Sequence, residues 1–201
     1  VNFGQEYFDY CKNKNGFDMR VKSTWQEDYV KYVSSVLDLK NKKCLDHGCA
    51  LGSQTSAFID KGFDFIGIDI DKWYVDNTPF TNMKNKIFTL NKNKFPFKKE
   101  EFDVIHSSQT IEHIPFNYLE LTVKEFHRIL KTNGIVYIGT VEEGENGDPT
   151  HVSTLSKKQW QELFISNGFS DQTFLFEHIW EKQAMYIKYK WVQFVFRKEE
   201  K

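Results

Sequence analysis

Residues 42–55 read KKCLDHGCALGSQT, and this stretch decides the fold. A short apolar run ends in Asp46 and His47, then gives way to small residues at alternating positions, Gly48, Ala50 and Gly52. A plain turn needs one glycine to reach an unusual backbone angle. Three small residues in a span of five imply that something must come close to the main chain where a strand ends.

The surrounding sequence supplies that strand and its partners. Lys43 to His47 reads as a short buried strand, followed after Gly52 by a helix through Phe58 and Ile59 that stops at Gly62, a natural residue for a helix end. Phe63 to Asp69 (FDFIGID) is a second strand, the segment from Ile87 to Asn91 a weaker third, and Phe102 to Ser107 (FDVIHS) a fourth. Leu119, Val123, Phe126 and Leu130 recur at helical spacing, and Asn133-Gly134 turns that helix into a fifth strand, IVYIGT. Upstream, Thr24 with Glu27 marks a capping box opening a helix to about Leu39; downstream, Ser156 with Gln159 opens another, closed by Gly168. The tail holds two aromatic-rich strands, roughly Thr173 to Trp180 and Lys190 to Phe196. Strands alternating with helices, then a final strand pair, predict an α/β fold with a mainly parallel sheet covered on both faces. Such sheets bind ligands beyond the carboxyl ends of their strands, where Gly48, Ala50 and Gly52 fall.

Composition narrows the function. The chain has 201 residues and is expected to form a single domain over 1–201, its first 40 residues preceding a core at 41–201. Lys and Arg total 27 against 28 Asp and Glu, so no global charge draws it to polyanions. Cys11, Cys44 and Cys49 lack CxxC spacing and read as thiols in a reducing compartment. Glu6 and Asp9 interrupt the first residues and no apolar run approaches ~18 residues, so the expectation is a cytoplasmic protein without signal peptide or membrane span.

Two cofactor readings compete for LDHGCALG. A dinucleotide site calls for G-x-G-x-x-G and a pyrophosphate at the helix N-terminus, whereas Asp46 would repel a pyrophosphate and suit a ligand carrying positive charge. S-adenosylmethionine carries a sulfonium and an ammonium. The segment resembles motif I of class I S-adenosylmethionine-dependent methyltransferases, and the resemblance continues in GIDI at 67–70, in the stretch from Leu90 to Pro115, in RILKTNGIVYIGT and in HVSTLSKKQWQELFISNGF. It covers roughly residues 40 to 170 with the elements in family order and is that of a small-metabolite enzyme. It implies a seven-stranded, mostly parallel sheet with helices on both faces and an antiparallel C-terminal strand. It further implies that Gly48, Ala50 and Gly52 admit the methionine and ribose parts, with Asp46 acting on the ammonium through the loop or a water. Asp69 would hold the ribose diol, Asn91 and Lys92 would border the adenine, and Ser107 would lie beside the methionine moiety. Cys49 and Ile70 are counted with them. Ala50 stands where the family commonly has glycine, and Asn91 where aspartate is frequent.

Methyl transfer from a sulfonium is an in-line displacement that needs a base mainly when the acceptor is an alcohol. His113, just past strand four, and His151, in the loop after strand five, are the candidate catalytic residues; His47, His106, His127 and His178 are expected to be structural. Glu142, Glu143, Glu145, Asp148 and His151 could be grouped as metal ligands, but Ser107-Ser108-Gln109 stands where metal-dependent relatives place aspartate, so no metal is expected. Lysines 84, 86, 92, 94, 98 and 99 interleave with Phe88, Phe95 and Phe97, yet an edge strand guarded by lysine accounts for them, and no nucleic-acid partner is expected. Tyr7, Tyr10, Phe17, Arg20 and Trp25 are candidates for a lid over the cofactor, with Arg20 placed to pair bidentately with the methionine carboxylate. The expected acceptor is a small molecule carrying a sugar-like or similar polar oxygen. An NAD-dependent oxidoreductase and a methyltransferase-fold binding or regulatory protein without catalysis stay open, and the oligomeric state is not legible.

Overall fold

A computed structural model describes residues 3–16, 18–91, 94–144, 147–177 and 192–200. The chain divides into two compact units, Val1–Lys92 and Asn93–Lys201. Together their seven strands make the seven-stranded, mostly parallel sheet of the α/β class.

In the first unit, helix α1 (Gln5–Asn15) and helix α2 (Thr24–Val36) precede strand β1 (Lys43–His47), helix α3 (Ser53–Asp60), strand β2 (Asp64–Asp69), helix α4 (Lys72–Asp76) and strand β3 (Ile87–Thr89). β2 lies parallel between β1 and β3, pairing His47 with Ile68 and Asp69 with Thr89. The buried runs Cys44-Leu45 and Phe65, Ile68 read as core because both faces of a parallel sheet are covered. Gly62, at φ 86°, ends α3 as the sequence indicates. α2 starts one residue earlier than expected. Ser23, not Thr24, is its cap, with the Ser23 amide donating to the Gln26 Oε1 at 2.7 Å.

The second unit runs strand β4 (Phe102–Ser108), helix α5 (Phe116–Ile129), strand β5 (Leu130–Thr140), helix α6 (Lys157–Ile165), strand β6 (Phe169–Asp171) and strand β7 (Val192–Lys198). β4 and β5 are parallel, and β7 is antiparallel to both β5 and β6. Ser156 and Gln159 form the expected capping box on α6. Two boundaries differ from the sequence reading. β5 is extended from Leu130 onward, so Asn133 (φ 62°) and Gly134 lie in an irregular stretch of the strand, not in a turn before it. The expected strand from Thr173 is instead β6 at Phe169–Asp171, because the Asp171 carboxylate accepts the Thr173 amide (2.8 Å) and bends the chain into a short 3₁₀ turn at Thr173–Leu175. Residues 178–180 of that expectation, and His178 with them, lie outside the described residues.

Phe95 stacks edge-on against Phe126, and Phe97 against Phe102, so these two aromatics pack within the second unit and are not displayed for stacking on bases. β3 is an edge strand, and Lys86 beside it faces Asp64 at 3.8 Å. Among the described residues, no helix is long and apolar enough to cross a membrane.

Candidate active site

The small residues of the opening segment have a conformational reason. Gly48, Ala50 and Gly52 all adopt positive φ, at 75°, 47° and 86°. Glycine does so freely, whereas alanine there meets its own carbonyl. Gly52 is constrained twice over, since a Cβ on it would lie 2.9 Å from the Met83 Cε. The Gly48 and Cys49 amides both donate to the Ile68 carbonyl, at 2.8 and 3.1 Å, and the Gly52 amide donates to the Cys49 carbonyl at 2.8 Å. The loop is thereby folded against the end of β2. It then opens α3, whose first residue follows Gly52 with no side chain capping the helix.

Asp69 closes this arrangement from β2. Its Oδ2 accepts the Ala50 amide at 2.8 Å and its Oδ1 the Asp71 amide at 3.1 Å. The residue is 8% exposed, and burial pushes its carboxyl up to about 6. Asp69 therefore anchors the one loop residue that resists its own backbone angle, a task the sequence did not disclose. Asp46 is also buried and accepts the Thr55 hydroxyl, which ties β1 to the first turn of α3. Cys49 turns its side chain into a core with Met83 and Ile87, so only its main chain belongs to the loop; burial raises its thiol. A Cβ on Gly67 would lie 2.5 Å from the Cys49 sulfur, so this strand glycine is the seat of that side chain.

Ile70, next to Asp69, is an exposed apolar side chain, and Asn91 is exposed beyond β3. Lys92 lies outside the described residues. Gln54, missed by the sequence reading, holds both polar atoms of its amide shielded from solvent and, among the described residues, without a hydrogen-bond partner. Arg20 is exposed and grips Asp18 with two hydrogen bonds, at 3.0 and 2.9 Å, while its guanidinium lies 4.8 Å from the Phe8 ring centroid. That grip holds the Asp18 carboxyl well below the usual carboxylate range. Pairing Arg20 with a ligand carboxylate would require exchange of this partner.

The N-terminal segment covers the loop. Phe8 and Cys11 of α1 and Met19 form a buried cluster with Leu51 of the loop and Tyr74 of α4, and Tyr7, Tyr10, Ala50 and Trp73 pack against it. Of the lid candidates, Tyr7 and Tyr10 thus sit over the loop, whereas Trp25 stacks on Tyr29 of α2 at 5.3 Å. Phe17 lies outside the described residues.

In the second unit, Ser107 is buried near the end of β4. Beyond it, the chain brings the two candidate histidines together: the His113 and His151 rings lie 4.8 Å apart, edge to face. The loop carrying His151 is fastened back on the turn carrying His113. Val152 and Ser153 donate to the Glu112 carbonyl, at 2.9 and 3.0 Å, and the Ser153 hydroxyl donates to the Ile114 carbonyl at 2.7 Å. His113 Nδ1 lies 2.8 Å from the Thr150 hydroxyl, which donates to Asp148 at 2.7 Å. Burial, with the neighbouring His151, lowers His113 to about 4, so it is neutral at physiological pH. Glu112 is fully buried and burial pushes it up to about 7; its Oε2 accepts the Thr140 hydroxyl at 2.9 Å. The sequence reading missed Glu112, and its only linear signal is an acid directly after the apolar Ile111. The other histidines among the described residues pack: His47 is buried and lowered to about 4 by that burial, His106 stacks on Tyr137, and His127 meets Phe169 edge-on.

Comparison with known proteins joins the two units to one family. A family model for a methyltransferase domain matches residues 20–183. Over 116 residues the chain is 33% identical to the ubiquinone biosynthesis O-methyltransferase of Pelagibacter ubique (strain HTCC1062), covering 56% of this chain and 48% of that protein. Over 115 residues it is 32% identical to the sterol 4-C-methyltransferase strm-1 of Caenorhabditis elegans, covering 53% and 34%. The matches thus span about half or less of these relatives. In fold, the chain resembles a crystal structure of a SAM-dependent methyltransferase from Archaeoglobus fulgidus, with a TM-score of 0.68 at 15% identity over 96% of this chain and 99% of that one.

Proposed function

The chain belongs to the methyltransferase-domain family of class I S-adenosylmethionine-dependent enzymes, and on that premise we propose that it transfers a methyl group to an oxygen of a small polar acceptor, a sugar, glycan precursor or similar metabolite. The observation that carries the cofactor reading is the loop with three positive-φ residues held by a buried carboxylate. The residues fit such a ligand. The shielded amide of Gln54, without a hydrogen-bond partner among the described residues, lies in the first turn of the helix that the loop opens.

S-adenosylmethionine supplies an activated methyl on a sulfonium. On this reading Gly48, Cys49, Ala50 and Gly52 line the cofactor with main chain, Asp69 accepts from the ribose hydroxyls, and Asp46 supplies negative charge from beneath the loop. Ile70 and Asn91 flank the base, with Lys92; Ser107 and Arg20 serve the methionine end. His113 and His151 serve the acceptor, taking the hydroxyl proton as the new bond forms. Burial keeps His113 neutral, so it has a lone pair to offer, but at about 4 it is a weak base, and the base role rests on the position of the two histidines rather than on this shift. The named acceptors of the two relatives differ, one methylated on oxygen and the other on carbon, so the preference for oxygen rests on the paired histidines. A reducing, cytoplasmic setting fits three buried thiols that form no disulfide.

Calorimetric titration with S-adenosylhomocysteine and, separately, NADH tests the cofactor. Micromolar binding of the first alone is expected; binding of NADH alone would transfer the chain to the oxidoreductases. Turnover with an acceptor panel then separates an enzyme from a binding protein of the same fold. His113→Ala and His151→Ala are expected to cut turnover on a hydroxyl acceptor while cofactor affinity holds. Equal loss of both would remove the base assignment.

A further inference from the structure

We propose that Glu112, His113 and His151 form a binding site for a divalent transition-metal cation of the zinc type, with one carboxylate oxygen and two imidazole nitrogens as ligands. The sequence reading grouped His151 with the acidic run after β5 and set metal aside; Glu142 and Glu143 of that run are exposed, and Glu112 and His113 were not part of it.

Three independent observations support the site. The first is geometry: one ligand atom from each residue can be chosen so that all lie within 4.8 Å of one another. Bonds to zinc of about 2.0–2.2 Å place neighbouring ligand atoms roughly 3.3 Å apart, a distance that side-chain rotation of about an ångström can reach. One carboxylate with two imidazoles is a donor set that borderline cations such as zinc, cobalt and iron accept, with positions left open for water or substrate.

The second is an orphaned atom. Glu112 is fully buried, and among the described residues its Oε1 has no hydrogen-bond partner, while Oε2 receives the Thr140 hydroxyl. Protonating the carboxyl does not repair this, since a proton on Oε1 would itself need an acceptor. A cation supplies what the oxygen lacks.

The third is the support behind the ligands. The Thr150 hydroxyl donates to Asp148, so it faces His113 as an acceptor, and Nδ1 must carry the proton. That fixes the tautomer with the lone pair on Nε2, the outer-shell arrangement by which a metal-binding histidine is oriented and made more basic. Meanwhile two amides of the His151 loop clamp the Glu112 carbonyl, so ligands far apart in sequence are held in register before any ion arrives. The cation and the proton compete for the same imidazole nitrogens, so the base role of the histidines belongs to the metal-free protein; with a cation bound, the acceptor hydroxyl is acidified by the ion and releases its proton to water.

The full chain, stripped with chelator, is titrated with Co(II) under visible spectroscopy and with Zn(II) by calorimetry, neither of which requires methyl transfer. Saturation at one equivalent with new d–d absorption is expected. Glu112→Gln and His151→Ala are each expected to weaken binding about a hundredfold, Thr150→Ala about tenfold, and exposed Glu143→Gln not at all. Circular dichroism checks each variant's fold; if Glu112→Gln unfolds, the partly exposed His151→Ala decides. Absence of a saturable site overturns the proposal, as does affinity unchanged by His151→Ala.

Discussion

Ala50 is the residue at which the loop works against its own chemistry. At φ 47° an L-residue is strained, and the strain is answered by the hydrogen bond to Asp69 and by packing on the α1 cluster. Ala50→Gly is expected to leave S-adenosylhomocysteine affinity within about twofold and to raise unfolding free energy by roughly 1 kcal/mol, measured in urea. A lower midpoint would show that the lost methyl contact outweighs the relief. Asp69 yields a pH signature. Its folded carboxyl titrates near 6, above the usual aspartate value, so ionising it disfavours the folded state. The sign follows: its contribution to stability is greatest below the unfolded pKa near 4 and is lost as pH rises through 6. The unfolding free energy of wild type relative to Asp69→Asn should therefore fall by roughly 2 kcal/mol between pH 4 and 7, and a flat difference would refute the titration. A ribose diol donates to the ionised form, so S-adenosylhomocysteine affinity should move oppositely, strengthening as pH rises through 6. Asp69→Ala should weaken it about ten- to hundredfold.

Element boundaries show where local sequence speaks clearly and where it does not. Ser23 and Thr24 are both capping residue types, Ser the somewhat better one, and Gln26 and Glu27 are both suitable partners three residues on, so the one-residue choice is settled by the hydrogen bonds formed. Ser23→Ala should cost about 1 kcal/mol in chemical denaturation and Thr24→Ala far less. The reverse order would return the cap to Thr24. β1, β2 and β4 were legible because buried parallel strands are short apolar runs. β6 was not, because its end is set by one carboxylate, Asp171, capturing an amide two residues on. α1 offered little signal, being polar along most of its length; its docking rests on Phe8 and Cys11. Phe8→Ala should release it, at about 3 kcal/mol, and speed amide exchange in residues 5–15 while β5 stays protected.

Across the whole molecule, the legibility of the site follows sequence distance. The glycine loop and Asp69 belong to consecutive strands, and a motif of fixed spacing captured both. Glu112, His113 and His151 meet only because a loop folds back and two amides bind the Glu112 carbonyl, and no spacing announces such a return. Family membership itself was readable from five ordered segments, whereas the acceptor has no counterpart in local pattern. Ligand binding offers a global check. S-adenosylhomocysteine at about 100 times its Kd should add roughly 2.7 kcal/mol of stability, and protection from exchange should be strongest in residues 46–54 and 67–71.

The contact between Gly67 and the Cys49 sulfur has a consequence for how this chain can change by descent. Alanine cannot enter position 67 while the thiol occupies the space above it. A lineage can reach alanine there only after position 49 has first become glycine, and a later return of bulk at 49 is then barred. The two positions therefore have a permitted order of substitution, and sequences descended from this one should carry bulk at one of them and not at both.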